Sequence, residues 1–430
     1  MSTKFYNLRE AVTHAKKKFG ARVFVDPSED HFDAITFNDL DHFVNCYSEF
    51  LKSCEVPEME KVAVISGAAT MPALLFVGTI ACDRIFVPID VLSTKTEVLR
   101  YLDQVTPALI VCDPEHREYC DAWARANGAR ASEVVDGRAL YDRILSRVAK
   151  PFKSKCCASN IAELVFTAGS TGAPKCAVLS QGSIIENALS LIQRYEITAD
   201  DHFMAAVPVW HCGGQIFPLL CPLLLGASTT VIEPKAALAR FWDIAADHKV
   251  TWSILPTAFL PALLQTDPRA TPLKGLLIGG SAVSADLIER FEAKFSIPIY
   301  QIYGLTEIAG VAVGEPLERS DRTAGSVGKP LDSAVIRIVS PDLQDVAQGQ
   351  HGEVCVKSAS RYSGYFKDPA ATKAKMLNGY VRTGDVGFID MNGNLNILGR
   401  IHDMSNVGSE KVQGHFSQNA SHKIERTTFV

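Results

Sequence analysis

The 430-residue sequence lacks an excess of positive charge. It contains 43 Lys and Arg against 48 Asp and Glu, which gives a net charge of −5. Proteins that bind nucleic acid usually present a basic surface to the phosphates, so this balance disfavours a nucleic-acid partner. Internal repeats and low-complexity segments are absent from the sequence too. A small-molecule partner is therefore expected.

Paired cysteines are also absent. The eleven cysteines are scattered without a CxxC pair, only Cys156 and Cys157 are adjacent, and no cleavable leader is recognisable before them. Scattered cysteines of this kind are typical of a reducing compartment rather than of a disulfide framework. We therefore expect a cytoplasmic location.

Long uncharged runs are rare, and only residues 212–232 reach the length of a membrane span. Pro218, Pro222 and Gly226 interrupt this run, and its end, STTVI, changes to the β-branched residues of a strand. We predict a buried helix, a turn and a strand here, and no transmembrane segment. A membrane span is the remote alternative.

Apolar residues, by contrast, are plentiful at 47% of the chain. The length exceeds the roughly 250–300 residues at which single cores tend to split, so more than one subdomain is expected. Alternating strand and helix signals predict parallel strands with crossover helices, hence an α/β fold. We predict one large domain over residues 1–402, with α/β parts at 1–160 and 161–324 and a β-rich part at 325–402.

Individual elements follow from the apolar patterns. In the first part we predict strands at 62–66, 85–89 and 108–112, and helices at 73–81, 96–105 and 115–126. In the second part we predict strands at 251–255, 276–280 and 297–304, and a helix at 285–295. In the third part we predict strands at 335–339 and 353–357, and a hairpin at 388–398. Asn392-Gly393 at its centre is typical of a two-residue turn.

The most informative segment is FTAGSTGAPKC, residues 166–176, which follows an apolar strand. Gly169 and Gly172 permit a tight turn in which consecutive backbone N–H groups face one anion. Hydroxyl groups and one ammonium group add further donors. These donors are Thr167, Ser170, Thr171 and Lys175. The composition predicts a phosphate-binding loop.

The spacing of this loop differs from that of a Walker A loop. A Walker A loop has four residues between its glycines and then Gly-Lys-Ser/Thr, whereas here two residues separate the glycines and Pro174 precedes Lys175. The segment is therefore a phosphate loop of another kind. An ordinary solvated loop rich in Gly, Ser and Thr is the alternative.

Further motifs follow the loop in a fixed order. They are PVWHCGG at 208–214, GGSAVS at 279–284, YGLTE at 303–307, GSVGKP at 325–330, SGYFKDPAAT at 363–372, RTGDVG at 382–387 and LGRIHD at 398–403. With TAGSTGAPK, the set resembles the signature motifs of the adenylate-forming (AMP-binding) superfamily, acyl- and aryl-CoA synthetases in particular. The resemblance extends from about the first helix to Val412. It implies the large N-terminal domain of that family, with layered parallel sheets, helices and a β-rich subdomain.

The resemblance also implies a reaction. A carboxylate attacks the α-phosphorus of ATP and expels pyrophosphate, and CoA accepts the acyl group in the parent family. Both reactants are anionic, so catalysis depends on positioning and charge neutralisation. The implied cofactors are ATP, Mg²⁺ and CoA, and the implied partner is a small carboxylate.

Roles for individual residues come from the same resemblance. The residues implied to hold the β- and γ-phosphates are Thr167, Gly169, Ser170, Thr171, Gly172 and Lys175. Thr306 is implied to contact the α-phosphate, and Glu307 to bind Mg²⁺, for which a carboxylate is a suitable hard ligand. The remaining nucleotide-binding residues are Gly280, Ser281, Tyr303 and Gly304 near the adenine, and Asp385 and Arg400 near the ribose. His211 matches the gate of the acyl pocket.

Each of these residues has a purely structural alternative. Glu307 could be a charge at a helix start, and Asp385 a turn residue, since Thr-Gly-Asp favours turns. Arg400 could form a surface pair with Asp403. Tyr303 and His211 could belong to the core.

The sequence departs from the family pattern at several places. Ala168 replaces a hydroxyl residue and Cys176 replaces a glycine; one lost hydrogen bond costs only about 0.5–1.5 kcal/mol. Ser405 stands where an apolar residue is expected. Beyond Val412 the resemblance stops, and residues 414–430 show no apolar periodicity.

We therefore expect residues 403–430 to be a hinge and a truncated remnant of the family's C-terminal lid. The lid supplies a lysine, and one such charge contributes about 10²–10³-fold in rate. ATP and Mg²⁺ binding should persist, adenylation should be weak or absent, and thioester formation with CoA absent. The expected substrate is an apolar fatty or aromatic monocarboxylate, because no charge except Glu307 occurs near YGLTE. A non-catalytic nucleotide- or acyl-binding protein and a truncated gene product are the alternatives.

Overall fold

The computed structural model describes residues 5–28, 32–127, 132–134, 137–167, 174–401, 404–407 and 410–413. The helices are α1 (Leu8–Phe19), α2 (Phe37–Ser53), α3 (Thr70–Ala81), α4 (Lys95–Val105), α5 (Arg117–Asn127), α6 (Gly137–Leu145), α7 (Gln181–Arg194), α8 (Cys212–Gln215), α9 (Cys221–Leu225), α10 (Pro234–Ala237), α11 (Phe241–Asp247), α12 (Phe259–Leu263), α13 (Ala285–Phe295) and α14 (Pro369–Lys375).

The strands are β1 (Val23–Pro27), β2 (Ile35–Thr36), β3 (Lys61–Ile65), β4 (Ile85–Pro88), β5 (Leu109–Cys112), β6 (Ser132–Val134), β7 (Ile161–Thr167), β8 (Lys175–Ser180), β9 (His202–Ala205), β10 (Ser228–Val231), β11 (Trp252–Pro256), β12 (Gly275–Gly279), β13 (Ile299–Leu305), β14 (Gly310–Gly314), β15 (Lys329–Pro330), β16 (Ala334–Val339), β17 (Gly352–Ser358), β18 (Met376–Leu377), β19 (Tyr380–Ile389), β20 (Leu395–Arg400), β21 (Met404–Val407) and β22 (Glu410–Gln413). Short 3₁₀ turns lie at Pro114–His116, Thr306–Ile308 and Arg319–Asp321.

The first sheet has six strands in the order β6-β5-β3-β4-β7-β8. Its strands are parallel from β6 to β7, and β8 returns antiparallel to β7. The connections between the parallel strands contain helices, as the alternating sequence pattern predicts. The predicted phosphate loop occurs in the sequence between β7 and β8, and β8 is an edge strand of this sheet.

The second sheet has nine strands in the order β15-β14-β13-β12-β11-β9-β10-β1-β2. The strands from β13 to β1 are parallel, whereas β14, β15 and β2 are antiparallel to their neighbours. The carboxyl ends of neighbouring parallel strands meet at one edge, where ligands of α/β proteins usually bind. GGSAVS begins at the last residue of β12 and YGLTE spans the end of β13, so the two motifs come together at this edge.

Sheet membership does not follow the order of the predicted parts. β7 and β8 lie beyond residue 160 but complete the six-stranded sheet, and β1 and β2 come from the first 36 residues but complete the nine-stranded sheet. The predicted boundary at residue 160 therefore separates two stretches of the sequence, but each of these two sheets contains strands from both stretches. The domain boundaries stay predictions.

The third sheet is antiparallel and confirms the β-rich character of the predicted third part. Its order is β16-β17-β19-β18, with β20 paired to β19. The predicted hairpin at 388–398 is present, but its turn differs. The turn closes from Gly393 N to the Asp390 carbonyl (3.0 Å), and Gly393 takes the left-handed conformation (φ +81°). The Asp390 carboxylate accepts the N–H groups of Asn392 and Asn394 and fixes this longer turn.

The apolar run at 212–232 forms helical turns followed by a strand, as predicted. α8, a π-helical turn at Ile216–Leu220 and α9 are continuous, Gly226 ends them in the left-handed conformation (φ +80°), and β10 follows. In the described part of the chain, no helix combines the length and hydropathy that a bilayer crossing requires. All eleven cysteines lie in described segments and are free thiols.

Candidate active site

The two ends of the predicted phosphate loop meet across the β7–β8 pair. Thr167 lies opposite Lys175, and its hydroxyl donates to the Lys175 carbonyl (3.3 Å). Residues 168–173 are outside the described part of the chain, so the predictions for Gly169, Ser170, Thr171 and Gly172 concern residues without a described position. The described ends place the Lys175 ammonium at the edge of the six-stranded sheet.

Glu307 lies in the 3₁₀ turn between β13 and β14 and is 7% exposed. The antiparallel pairing around this turn requires a close backbone approach, because a Cβ atom on Gly304 would stand 1.8 Å from the Gly310 carbonyl oxygen. Close backbone packing therefore accounts for a glycine at position 304, whether or not this residue contacts nucleotide as predicted. Ala309 completes the turn in the left-handed conformation (φ +54°).

Asn187 of α7 holds this turn through hydrogen bonds to its backbone. Its buried amide nitrogen donates to the carbonyls of Ile308 (3.3 Å) and Val311 (2.7 Å), and its amide oxygen accepts the Val311 N–H (3.2 Å). A buried amide with these partners satisfies backbone groups that the irregular turn leaves free. The position of Glu307 is therefore fixed by the helix that follows the phosphate loop.

A tyrosine brings Lys175 and Glu307 together. The Tyr365 hydroxyl donates to Glu307 Oε1 (2.5 Å), and Lys175 Nζ lies 5.3 Å from the centroid of the Tyr365 ring. The sequence does not identify Tyr365 as a site residue, although it belongs to the SGYFKDPAAT motif. Its position between two predicted site residues is visible only in the fold.

A second group forms around Asp385 in β19. Tyr303 donates its hydroxyl to Asp385 Oδ2 (2.5 Å), and Arg400 Nε lies 2.9 Å from Oδ1. Burial raises the pKa of Asp385, and Tyr303, Arg400 and Lys375 oppose that rise; burial and then Asp385 raise the pKa of Tyr303 well above its ordinary value. Three of the predicted nucleotide-binding residues are therefore brought together as one hydrogen-bonded group.

Lys375, at the end of α14, is a cation that the sequence does not single out. Its ammonium donates to the Thr383 carbonyl (3.1 Å), which also accepts from Arg400 Nη1 (3.3 Å). Burial lowers the pKa of Lys375, while the nearby carboxylates of Glu307 and Asp385 oppose that change. Lys375 thus lies between the two groups described above.

A cavity of about 380 Å³ opens between the ends of β7, β12 and β13. Thr306, Gly280 and Gly304 line it on the side of the predicted nucleotide site. The other lining residues are Val165, Phe166, Val207, His211, Cys212, Gly213, Ile254, Leu255, Pro256, Gly279, Ile302, Leu305, Gly310 and Val311. None of these residues is an acid, a lysine or an arginine, so the described lining is uncharged when His211 is neutral.

His211 is exposed at this cavity, directly before α8. Although the residue keeps exposed surface, partial desolvation of the ring by neighbouring protein atoms lowers its pKa, and Asp90 acts in the opposite direction. The imidazole is therefore neutral near pH 7. Ser281 is exposed beside Gly280, and its carbonyl accepts the Thr257 hydroxyl (3.0 Å).

A fully buried carboxyl group lies behind the cavity wall. Glu163 points to the same face of β7 as Val165 and is 0% exposed. Burial raises its pKa from 4.5 to about 8, and the neighbouring Gln215 offsets this only in part. Within the described residues, neither carboxyl oxygen of Glu163 nor the amide oxygen of Gln215 has a hydrogen-bond partner. Glu163 is therefore a neutral acid at pH 7.

The site suits Mg²⁺ only together with a bound phosphate. In the described segments, no group of three or more His, Cys, Asp or Glu side chains could hold a metal ion. Mg²⁺ is commonly bound by one or two carboxylates and by substrate phosphates. The Glu307 carboxylate uses Oε1 for Tyr365, and its other oxygen meets this requirement for one hard ligand.

Comparisons with known proteins identify the family of the chain. The model of the AMP-binding enzyme family matches residues 12–366. The sulfoacetate–CoA ligase of Cupriavidus necator is 27% identical, over 90% of this chain and 76% of that protein. The indoleacetate–CoA ligase of Aromatoleum aromaticum is 28% identical, over 88% of this chain and 76% of that protein.

A solved structure shares the fold. It is the O-succinylbenzoate coenzyme A synthetase of Bacillus subtilis in complex with ATP and a magnesium ion. Its TM-score is 0.84 at 22% sequence identity, over 96% of this chain and 83% of that chain. The layered sheets and the β-rich part therefore match a known architecture.

Proposed function

Because the chain belongs to the AMP-binding enzyme family and is related to acid–CoA ligases, we propose that it activates an apolar monocarboxylate by adenylation with ATP. One observation supports this best: Thr306, next to Glu307, lines an uncharged cavity of about 380 Å³. The cavity thus adjoins the residues expected to bind phosphate and metal. Its size is within the range of small-molecule sites.

The proposed reaction joins a carboxylate oxygen to the α-phosphorus of ATP and breaks the bond to pyrophosphate. The chain's own residues supply charge and position. Lys175 compensates the charge of the leaving phosphates, and Thr306 donates to the α-phosphate. A bound Mg²⁺ ion, held by Glu307, would neutralise phosphate charge. The Bacillus subtilis synthetase, which shares this fold, was solved in complex with ATP and a magnesium ion, the two groups that this proposal requires.

The ribose is assigned to the group around Asp385. In the structure its carboxylate accepts from Tyr303 and pairs with Arg400, so it is already oriented before nucleotide binds. Each carboxylate oxygen can accept more than one hydrogen bond, which leaves capacity for ribose hydroxyls. We assign Tyr303, Gly280 and Ser281 to the adenine side of the same site.

The substrate class follows from the lining of the cavity. A second carboxylate on the substrate would be buried among Val, Ile, Leu and Phe side chains without a cationic partner, which is costly. A fatty or aromatic monocarboxylate avoids this cost. We therefore propose an apolar acid as the substrate, although two named relatives act on acids of different character, sulfoacetate and indoleacetate.

A panel of matched acids tests the substrate class. ATP–pyrophosphate exchange should be at least about 100-fold faster with hexanoate than with adipate, and with benzoate than with terephthalate, because the added carboxylate finds no counter-charge. Each pair keeps the chain or ring and changes only the second charge. Fastest exchange with a dicarboxylate would overturn the assignment.

The same assay separates catalysis from binding alone. Nucleotide binding without exchange for any acid would favour a non-catalytic nucleotide-binding protein. The predicted impairment by a missing lid rests on the loss of the family resemblance in residues 414–430, which lie outside the described part of the chain. The predicted loss of thioester formation with CoA rests on the same residues. It stays a prediction, and exchange measures adenylation without requiring CoA.

A further inference from the structure

Tyr365 is buried at the junction of the two sheets and the β-rich part, with 6% of its surface exposed. Its hydroxyl donates to Glu307 Oε1 (2.5 Å), and its ring faces Lys175 Nζ at 5.3 Å from the centroid. The same side chain therefore contacts the proposed metal ligand and the proposed phosphate-binding cation. Neither contact is expected from the sequence order, since the three residues are far apart in the chain.

The backbone around Tyr365 is held on both sides. The Val178 N–H donates to the Gly364 carbonyl (2.9 Å), and the Phe366 N–H donates to the Cys176 carbonyl (2.7 Å). The segment 363–366 therefore pairs with β8 immediately after Lys175. On the other side, the Tyr362 N–H donates to the Glu307 carbonyl (2.8 Å). Tyr365 thus has a fixed position relative to both residues.

We infer that Tyr365 is a positioning residue of the adenylation site, which orients the Glu307 carboxylate toward Mg²⁺ and the Lys175 ammonium toward the phosphates. This inference rests on the proposed function. A hydrogen bond to a metal-binding carboxylate fixes its rotamer and reduces the entropy lost when the metal binds. A cation over an aromatic face is held without losing its capacity to donate to phosphate.

The hydroxyl and the ring of Tyr365 have different partners: the hydroxyl donates to Glu307, and the ring faces Lys175. The hydroxyl orients the carboxylate, and the ring orients the lysine, so the two functions can be separated by substitution.

The neighbouring Tyr362 provides a matched control. It is also buried (3% exposed), and its ring meets the Tyr365 ring edge-on with centroids 5.1 Å apart. Within the described residues, its hydroxyl has no hydrogen-bond partner. Tyr362→Phe therefore changes the same aromatic cluster and keeps the hydrogen bond from the Tyr362 backbone N–H to the Glu307 carbonyl.

The test measures ATP affinity by calorimetry over a range of Mg²⁺ concentrations. Tyr365→Phe should raise the Mg²⁺ concentration for half-maximal enhancement of ATP binding by about 10–100-fold, as expected when a residue that orients a metal ligand is lost. ATP affinity without Mg²⁺ should change less than about twofold, because the ring still faces Lys175. Tyr365→Leu should weaken ATP binding without Mg²⁺ as well. Tyr362→Phe should leave both quantities unchanged.

The outcomes distinguish this inference from the proposed function. An equal Mg²⁺ dependence in the wild type and Tyr365→Phe would overturn the role of Tyr365 while the proposed function stands. An equal rise in the required Mg²⁺ concentration in Tyr365→Phe and Tyr362→Phe would show a packing effect and would also overturn the role of Tyr365. No ATP binding by the folded wild type at any Mg²⁺ concentration would overturn the proposed function, and the inference with it.

Discussion

Glu163→Gln is expected to stabilise the protein by about 4 kcal/mol at pH 8 and by only about 1 kcal/mol at pH 5. Glu163 is fully buried in β7, and burial raises its pKa from 4.5 to about 8. Glutamine has nearly the same shape and carries no ionisable group. Its amide N–H can donate to the Gln215 oxygen, which has no partner among the described residues.

The sign of this effect follows from proton binding. Between pH 4.5 and about 8 the folded state keeps the Glu163 proton, whereas the unfolded state releases it. The stability that protonated Glu163 contributes is therefore complete below pH 4.5 and declines as the pH rises, by about 1.4 kcal/mol per pH unit. The glutamine variant lacks this decline.

Urea unfolding of both proteins between pH 5 and pH 8 measures the effect. Glu289→Gln, on the exposed face of α13, is the control. Its free energy of unfolding should differ from that of the wild type by an amount that does not depend on pH. Parallel stability curves for the wild type and Glu163→Gln would contradict a neutral, buried Glu163.

Lys175→Met is expected to reduce ATP–pyrophosphate exchange by about 10²–10³-fold, the usual effect of losing one preorganised charge in an active site. Methionine retains the length and apolar stem of the side chain but cannot donate to a phosphate. The stem can still pack on the Tyr365 ring, so the folded structure should persist. Exchange rates and thermal unfolding should be compared in the same preparations.

Lys367 offers a matched control for this substitution. Its Nζ lies 5.0 Å from the centroid of the Phe366 ring, a contact like that of Lys175 with Tyr365, but it donates to the Gln104 carbonyl (3.4 Å) and not into the site. Lys367→Met should change exchange by less than about twofold, as expected of a surface substitution. Similar rates for the wild type and Lys175→Met would remove Lys175 from the proposed site.

Much of the architecture could be predicted from apolar patterns. The predicted strands at 62–66 and 85–89 correspond to β3 and β4, and the helix at 285–295 to α13. These elements have short-range signals, such as apolar runs and the Ser284 cap, whose hydroxyl accepts the Leu287 N–H. Which sheet receives β7 or β1 has no local signal, because long-range pairing decides it.

The hairpin at 388–398 shows a second limit. Asn392-Gly393 indicates a tight turn correctly, but the sequence rule places both residues at the turn centre. The Asp390 side chain accepts two backbone N–H groups and selects a longer turn with Gly393 after the centre. A side chain outside the dipeptide therefore changed the turn.

The site was predictable only as far as motifs describe it. The resemblance names Tyr303, Asp385 and Arg400, and the structure brings these three together. Tyr365 and Lys375 were missed, because their relation to Glu307 depends on long-range contacts: residues 363–366 pair with β8, and Lys375 lies at the end of α14. Glu163 was missed because an acid in an apolar strand gives no sign of its neighbours.

Transfer of isotope from the acid to AMP tests adenylation most directly. The protein is incubated with Mg²⁺, ATP, a monocarboxylate labelled with ¹⁸O in both oxygens, and hydroxylamine as acyl acceptor. Attack of the carboxylate on the α-phosphorus makes one ¹⁸O the bridging oxygen, and attack of hydroxylamine on the acyl carbon leaves that atom on AMP. We predict AMP with one ¹⁸O and an equal amount of hydroxamate. Unlabelled AMP, or no AMP from a protein that binds ATP, would contradict adenylation.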